Sequence, residues 1–258
     1  CIRDRRYVGE NVSVSLDDKT DALLMKSEQI RGEVFKPTER IKLYIVEVKE
    51  TNRGPRILVS RTHPDLVKRL FEKEVAEIQD GTVEIKNIVR EAGSRTKMAV
   101  WSNDKNVDPV GACVGLNGAR VNAIVNDLKG EKIDIINWNE DPCVFIENAL
   151  SPSKVVSVAV DVEEKSAEVV VPDYQLSLAI GKEGQNARLA ARLTGYKIDI
   201  KSESQAAEEA AKVSEEPEAD EFEIEEDLFN EEINDDFVED AENTEEAVED
   251  FDAEDIEE

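Results

Sequence analysis

One phrase of sequence occurs twice. Residues 114–137 read V-G-L-N-G-A-R-V-N-A-I-V-N-D-L-K-G-E-K-I-D-I-I-N, and the core of this phrase returns over residues 179–201 as A-I-G-K-E-G-Q-N-A-R-L-A-A-R-L-T-G-Y-K-I-D-I-K. The glycine pairs Gly115/Gly118 and Gly181/Gly184 lie 66 residues apart, and the two K-I-D-I strings, from Lys132 and Lys197, lie 65 apart. A repeat that holds its phase to one residue specifies one supersecondary unit built twice. A lone G-x-x-G arises by chance roughly once in 200 residues at ordinary glycine usage of about 7%. Two copies with the same downstream pattern do not.

Two glycines around two variable residues let a backbone turn with positive φ and let another backbone come close. Placed at the mouth of a helix, such a loop aims unpaired N–H groups and the positive end of the helix dipole at its occupant, for which phosphate is the natural choice. After the first loop, Val121, Ile124, Val125 and Leu128 mark one apolar helix face, with Arg120 and Lys129 off it. After the second, Leu189 and Leu193 form the apolar stripe, while Gln185, Arg188 and Arg192 form a polar one. Gly130 and Gly195 end the two helices, and an alternating β-branched run follows each. Loop, helix and strand in this order resemble the KH domain, whose GxxG loop clamps about four single-stranded nucleotides by their backbone. The expected RNA-contacting residues are therefore Gly115, Leu116, Asn117, Gly118 and Arg120 in the first unit. In the second they are Gly181, Lys182, Glu183, Gly184, Gln185, Arg188 and Arg192. Because the first loop has no cation and the second sets Glu183 beside Lys182, backbone amides must supply most of the contact.

A net charge of −28 would argue against a nucleic-acid partner if it were evenly spread. It is not: residues 202–258 hold 28 acids against Lys212 alone, leaving 32 acids and 31 bases before them. Three cysteines (Cys1, Cys113, Cys143) and the single His63 show no metal-ligand spacing, so buried reduced thiols in a cytoplasmic protein are expected, with no metal, no cofactor and no nucleophile pair. The near-neutral part shows no carboxylate or histidine cluster of the kind a nuclease needs. An enzyme is not expected. No apolar run approaches the roughly 20 residues that span a bilayer. A chain that begins at Cys1 rather than Met is expected to have lost its natural amino terminus.

Before the repeat, residues 12–16, 41–48 and 56–60 read as short strands, with residues 52–55 as a hairpin turn. Closely spaced strands without long helices fit a small barrel. The runs E-Q-I-R-G-E from Glu28, I-K-L-Y-I-V-E-V from Ile41 and R-G-P-R-I-L-V-S-R-T-H-P from Arg53 resemble the S1 domain of the NusA family of bacterial transcription factors. In that family an OB-type S1 barrel precedes two KH domains. The resemblance covers residues 28–201, and it places Cys1 inside a first strand that would be cut short.

In each unit a helix (from Pro64 or Pro142), two strands (82–90 and 96–101, or 155–160 and 167–171) and a short helix (from Pro109 or Pro172) precede the loop. This is the type II KH order. The expected fold is α+β: a partial S1 barrel over 1–62, KH units over 63–137 and 138–201, and a disordered acidic tail over 202–258. No Gly-, Ser- or Pro-rich linker separates the KH units, so they are expected to form one rigid track for about six to eight nucleotides. Arg95, Lys97 and Arg120 are candidates for lining the groove of the first unit. Tyr7, Phe35 and Tyr44 are either barrel core or base-stacking platforms. In the tail, Phe222, Phe229, Ile233 and Phe237 carry helical spacing; the tail either solubilises the chain, mimics nucleic acid at the basic KH face, or folds onto a basic partner such as polymerase.

The resemblance implies a monomeric factor that contacts single-stranded nascent RNA and modulates pausing, termination and antitermination. RNA polymerase is its partner by resemblance, although the domain that docks there lies outside this sequence. The rival readings are an RNA-binding protein of ribosome assembly or RNA decay, and a scaffold whose KH units no longer bind RNA.

Overall fold

The structure of the protein, a computed structural model, describes residues 5–17, 20–36, 39–52 and 54–215, the side chains of 5–8, 210 and 212–215 excepted. The first element is a sheet of five strands: β1 (Arg5–Val8), β2 (Asn11–Ser15), β3 (Asp21–Leu24), β4 (Tyr44–Thr51) and β5 (Gly54–Ser60). Their order is β1-β2-β3-β5-β4, with a parallel β3–β5 pair closing an otherwise antiparallel set. Alternation decides which face is inside, since Val12, Val14, Ala22, Leu24, Ile57 and Val59 all point into one core with Phe35 and Ile41. Two strands escape the sequence reading. β1 pairs with β2 over four residues, from Arg5 opposite Val14 to Val8 opposite Asn11. β3 is a four-residue D-A-L-L with too few positions to show a period. Phe35 is core, at 6% exposure, which removes it as a stacking platform. The side chain of Tyr7 lies outside the described residues.

α1 (Pro64–Glu74) starts where His63 Nδ1 accepts from the Asp65 amide at 3.2 Å and Pro64 fills the first helical position. It buries Leu66, Val67, Leu70 and Phe71, and α2 (Ala76–Gln79) follows after Val75. β6 (Val83–Glu91), β7 (Arg95–Ser102), α3 (Pro109–Val114), α4 (Ala119–Asp127) and β8 (Lys132–Asn137) complete the first unit, with sheet order β6-β7-β8. The second unit repeats the order with α5 (Pro142–Ala149), β9 (Ser157–Asp161), β10 (Ser166–Val171), α6 (Leu176–Ile180), α7 (Gln185–Thr194) and β11 (Lys197–Ser202). Each K-I-D-I string enters its sheet as the parallel partner of the central strand, Lys132 opposite Arg95 and Lys197 opposite Ser166. Both units therefore have the type II KH order.

The first residues of the segment expected to be a disordered tail are helical. α8 (Glu203–Glu215) continues directly from β11, because Ser202 and Gln205 form a reciprocal capping box: the Ser202 amide donates to Gln205 Oε1 at 3.0 Å and Ser202 Oγ accepts from the Gln205 amide at 3.3 Å. The alanine-rich sequence that follows has high helix propensity. Phe222, Phe229, Ile233 and Phe237 lie outside the described residues.

The parts are tied by buried polar contacts. Arg61, fully buried, reaches Glu33 (2.6 and 3.1 Å) and the Lys42 carbonyl (2.9 Å) of the barrel segment and the Asp127 carbonyl (3.3 Å) at the end of α4. The sheet of the first unit offers Val89, Ala99 and Ile136 to a core shared with Phe145, Ile146, Ala149, Leu189 and Leu193 of the second. Asn87 Nδ2 donates to the Leu193 carbonyl at 2.7 Å across the same boundary.

Candidate nucleic-acid interface

The two G-x-x-G loops have one backbone conformation. Gly115 and Gly181 stand at φ/ψ of 74/175° and 76/175°, Asn117 and Glu183 at 52/27° and 52/28°, Gly118 and Gly184 at 77/13° and 73/16°. Three of the four residues in each loop thus have positive φ, and the first glycine sits in a region that only glycine occupies readily. The first glycine also ends the preceding helix, its amide donating to Gly111 or Ser177 at 2.9 Å. The second caps the start of α4 or α7, donating back across the loop to the first at 3.1 or 3.2 Å. The first-turn amides of α4 and α7 have no intrahelical acceptor and open at the loop with the dipole's positive end. Leu116 is 85% exposed, and Lys182 and Glu183 are exposed as well.

The side chains expected to add charge divide. Lys182 and Arg192 are exposed, and neither forms an ion pair within 4.0 Å among the described residues. Arg188 is held by Glu91 of the first unit at 2.8 Å and by the Glu183 carbonyl at 3.2 Å. Gln185 donates to the same Glu91 at 2.7 Å and to Ser94 Oγ at 2.8 Å. Hydrogen bonds from Arg188, then Gln185, hold the Glu91 carboxyl below the usual range. Arg120 lies behind its loop, with Nη1 at 3.0 and 3.2 Å from the Glu77 carboxylate and 2.6 Å from the Ala112 carbonyl.

Two groove candidates move elsewhere. Lys97 is fully buried at the junction of the units, where Nζ donates to the Ala149 and Ser151 carbonyls (2.8 and 2.9 Å) and faces Asp134 at 3.3 Å. Burial pushes its pKa down to about 8. Arg95 is paired across β7 and β8 with Asp134 at 2.6 and 3.1 Å. Tyr44 stacks on His63, centroids 4.6 Å apart, and bonds Asp65 at 3.1 Å, so it joins barrel to α1. β7 is buried on both faces from Thr96 to Val100, so no alternation marks Lys97, and its acceptors lie 52 and 54 residues away and carry no local signal. Glu77, Glu91 and Ser94, all unmarked in the sequence, hold the polar side chains beside the loops, and Asn186, also unmarked, ties to the Ala179 and Leu150 carbonyls.

Among the described residues, no group of three or more His, Cys, Asp or Glu is placed to hold a metal ion, and no helix is long and apolar enough to cross a membrane. Burial pushes the Cys113 thiol up to about 12, which leaves it unreactive at neutral pH.

A five-stranded barrel-type sheet followed by two fused type II KH units, each with an open G-x-x-G helix mouth, defines a tandem-KH protein. Two family models match it: the NusA-like first KH domain over residues 61–138 and the NusA-like second KH domain over residues 142–208. The chain is 63% identical over 204 residues to the transcription termination/antitermination protein NusA of Bacillus subtilis, covering 79% of this chain and 55% of that one. It is 64% identical over 190 residues to the NusA of Halalkalibacterium halodurans (74% and 50% covered) and 47% identical over 222 residues to that of Thermus thermophilus (83% and 57%). The chain belongs to the NusA family, and it spans about half the length of these relatives.

Proposed function

We propose that this chain is the RNA-binding part of a transcription termination and antitermination factor, acting without catalysis on single-stranded nascent RNA. The domain limits that go with this reading are 1–62 for the S1 barrel, 63–137 and 138–201 for the KH units, and 202–258 for the acidic region, whose first part is α8. The observation that carries the reading is the identity of the two loops: a conformation rare for ordinary residues is held twice, to within four degrees, at the mouth of a helix. Strain of this kind persists where a site needs it. Backbone amides of residues 115–118 and 181–184 seat phosphates, Lys182 and Arg192 add charge, and bases lie in the adjacent groove. The family supplies the transcriptional role, with RNA polymerase as partner through a part of the relatives beyond the stretch they share with this chain. A cytoplasmic monomer fits that role.

The test is binding of the full chain to a labelled single-stranded RNA by fluorescence anisotropy, with Leu116→Asp/Asn117→Asp and Lys182→Asp/Glu183→Asp compared with the parent. Aspartate tolerates left-handed φ, so these changes keep the loop and add repulsion. Each pair is expected to weaken binding by tenfold or more, about 1.4 kcal/mol. Unchanged affinity in both would leave a scaffold without RNA binding as the better reading.

A further inference from the structure

The residue two places after the second glycine occupies the same post in both units. In the first it is Arg120. Its Cγ lies 2.8 Å from where a Cβ on Gly115 would be, and its guanidinium joins the Ala112 carbonyl of α3 to Glu77 of α2. In the second it is Asn186, 1% exposed, with its own amide nitrogen and Cβ 2.9 Å from where a Cβ on Gly181 would be. Asn186 Nδ2 donates to the Ala179 carbonyl of α6 at 3.1 Å and to the Leu150 carbonyl at the end of α5 at 3.0 Å. Two chemically different side chains thus make the same pair of ties: one to the helix before the loop, one to a helix at the start of the unit. Asn186 Oδ1 has no hydrogen-bond partner among the described residues, so the second clamp uses half of its side chain, whereas the first is closed by a carboxylate.

We propose that Arg120 and Asn186 are positioning residues that fix the G-x-x-G loops from behind, and that Glu77, on a separate helix, is a determinant of RNA affinity through Arg120. This rests on the RNA-binding reading above and gives Arg120 a different task from the phosphate contact expected of it. All three contacts fall on Nη1, so that arm of the guanidinium is bound at once to a carboxylate and a carbonyl and is committed to the clamp. Its remaining value to the loop is to hold α3 and α4 at the angle that makes Gly115 the only residue that fits. The free amides then meet phosphate without reorganisation, which is where preorganisation raises affinity.

The two roles of Arg120 give Glu77 opposite signs. If Glu77 merely restrained a phosphate-binding arginine, Glu77→Gln would release it and tighten RNA binding. If Glu77 seats the clamp, Glu77→Gln weakens it. The experiment is anisotropy of the full chain with a fluorescein-labelled single-stranded RNA across a salt series, for Glu77→Gln, Arg120→Gln and the double variant, with thermal melts to show that each is folded. The expected result is a three- to tenfold loss for each single variant and no further loss in the double, the mark of one shared interaction. The salt slope is expected to stay unchanged, since no phosphate contact has been removed. Amide resonances of residues 115–118 should move in Glu77→Gln while those of 181–184 stay, a readout that general destabilisation would not reproduce. Tighter binding by Glu77→Gln, a slope reduced by about 0.7 in Arg120→Gln, or unchanged affinity in both singles overturns the proposal. A parent chain that fails to bind RNA would instead overturn the function on which it rests.

Discussion

The two glycines of each loop serve different ends. Gly181 has φ +76° with ψ 175° and meets the Asn186 backbone nitrogen at 2.9 Å if given a Cβ, whereas Gly184 has φ +73° and nothing within 4 Å. Gly181→Ala therefore incurs both strain and a clash with backbone, an expected loss of about 1–3 kcal/mol or more. Gly184→Ala incurs only the left-handed penalty of about 1–2 kcal/mol. Chemical denaturation of the two variants checks the order; equal losses would contradict it. That these positions must be glycine was legible from the repeat itself. Which neighbour enforces it was not, because Arg120 and Asn186 share a location but no chemistry, and a sequence comparison sees only a mismatch.

At the scale of elements, helices and strands were legible in the repeated units, where the apolar period is long enough to read, and short pieces such as β3 of the barrel sheet were not. The repeat also missed how one unit departs from the other. Glu131 stands just before β8, where the second copy has Tyr196. Its buried carboxylate takes two bonds from Arg90 (2.8 Å each), one from Thr96 Oγ1 (2.6 Å) and one from the Gly93 amide (2.8 Å). Burial alone would push the Glu131 carboxyl up; Arg90, with Thr96 and Gly93, more than offsets this and holds it below the usual range. Its contribution is therefore present above the unfolded carboxylate pKa and lost as pH falls through the lower folded value. Glu131→Gln leaves Arg90 buried without its charge partner, an expected loss of about 3–5 kcal/mol at neutral pH that shrinks on acidification. Urea melts at neutral and acid pH test this, and a variant as stable as the parent would refute it.

For the whole molecule, the same sheet face has two fates. In the first unit the Ala99–Ile136 pair and Lys97 are covered by α5 and α7; the corresponding register in the second reads Val170 opposite Lys201 and Glu168 opposite Asp199. Lys201 there is paired with Glu168 at 3.2 Å and with Glu209 of α8 at 2.5 Å. Charge replaces apolar surface, so a third unit would find no core to share. The seam between the units has a pH signature through Lys97, whose proton is lost near pH 8 when folded and near 10.5 when unfolded. Between those values the unfolded chain holds the extra proton, so this lysine's contribution to stability rises with pH. The stability difference between parent and Lys97→Met is expected to grow in the parent's favour from about pH 8 to 10, by on the order of 2–3 kcal/mol, as measured by denaturation; a flat difference would show Lys97 to be ordinary. The measurement closest to the central claim is a titration of the ¹⁵N-labelled chain with single-stranded RNA, followed by amide shifts. The amides of 116–120 and 182–186 should move together and first. Shifts confined to the barrel, with both loops silent, would mean that the paired helix mouths are not where the RNA lies.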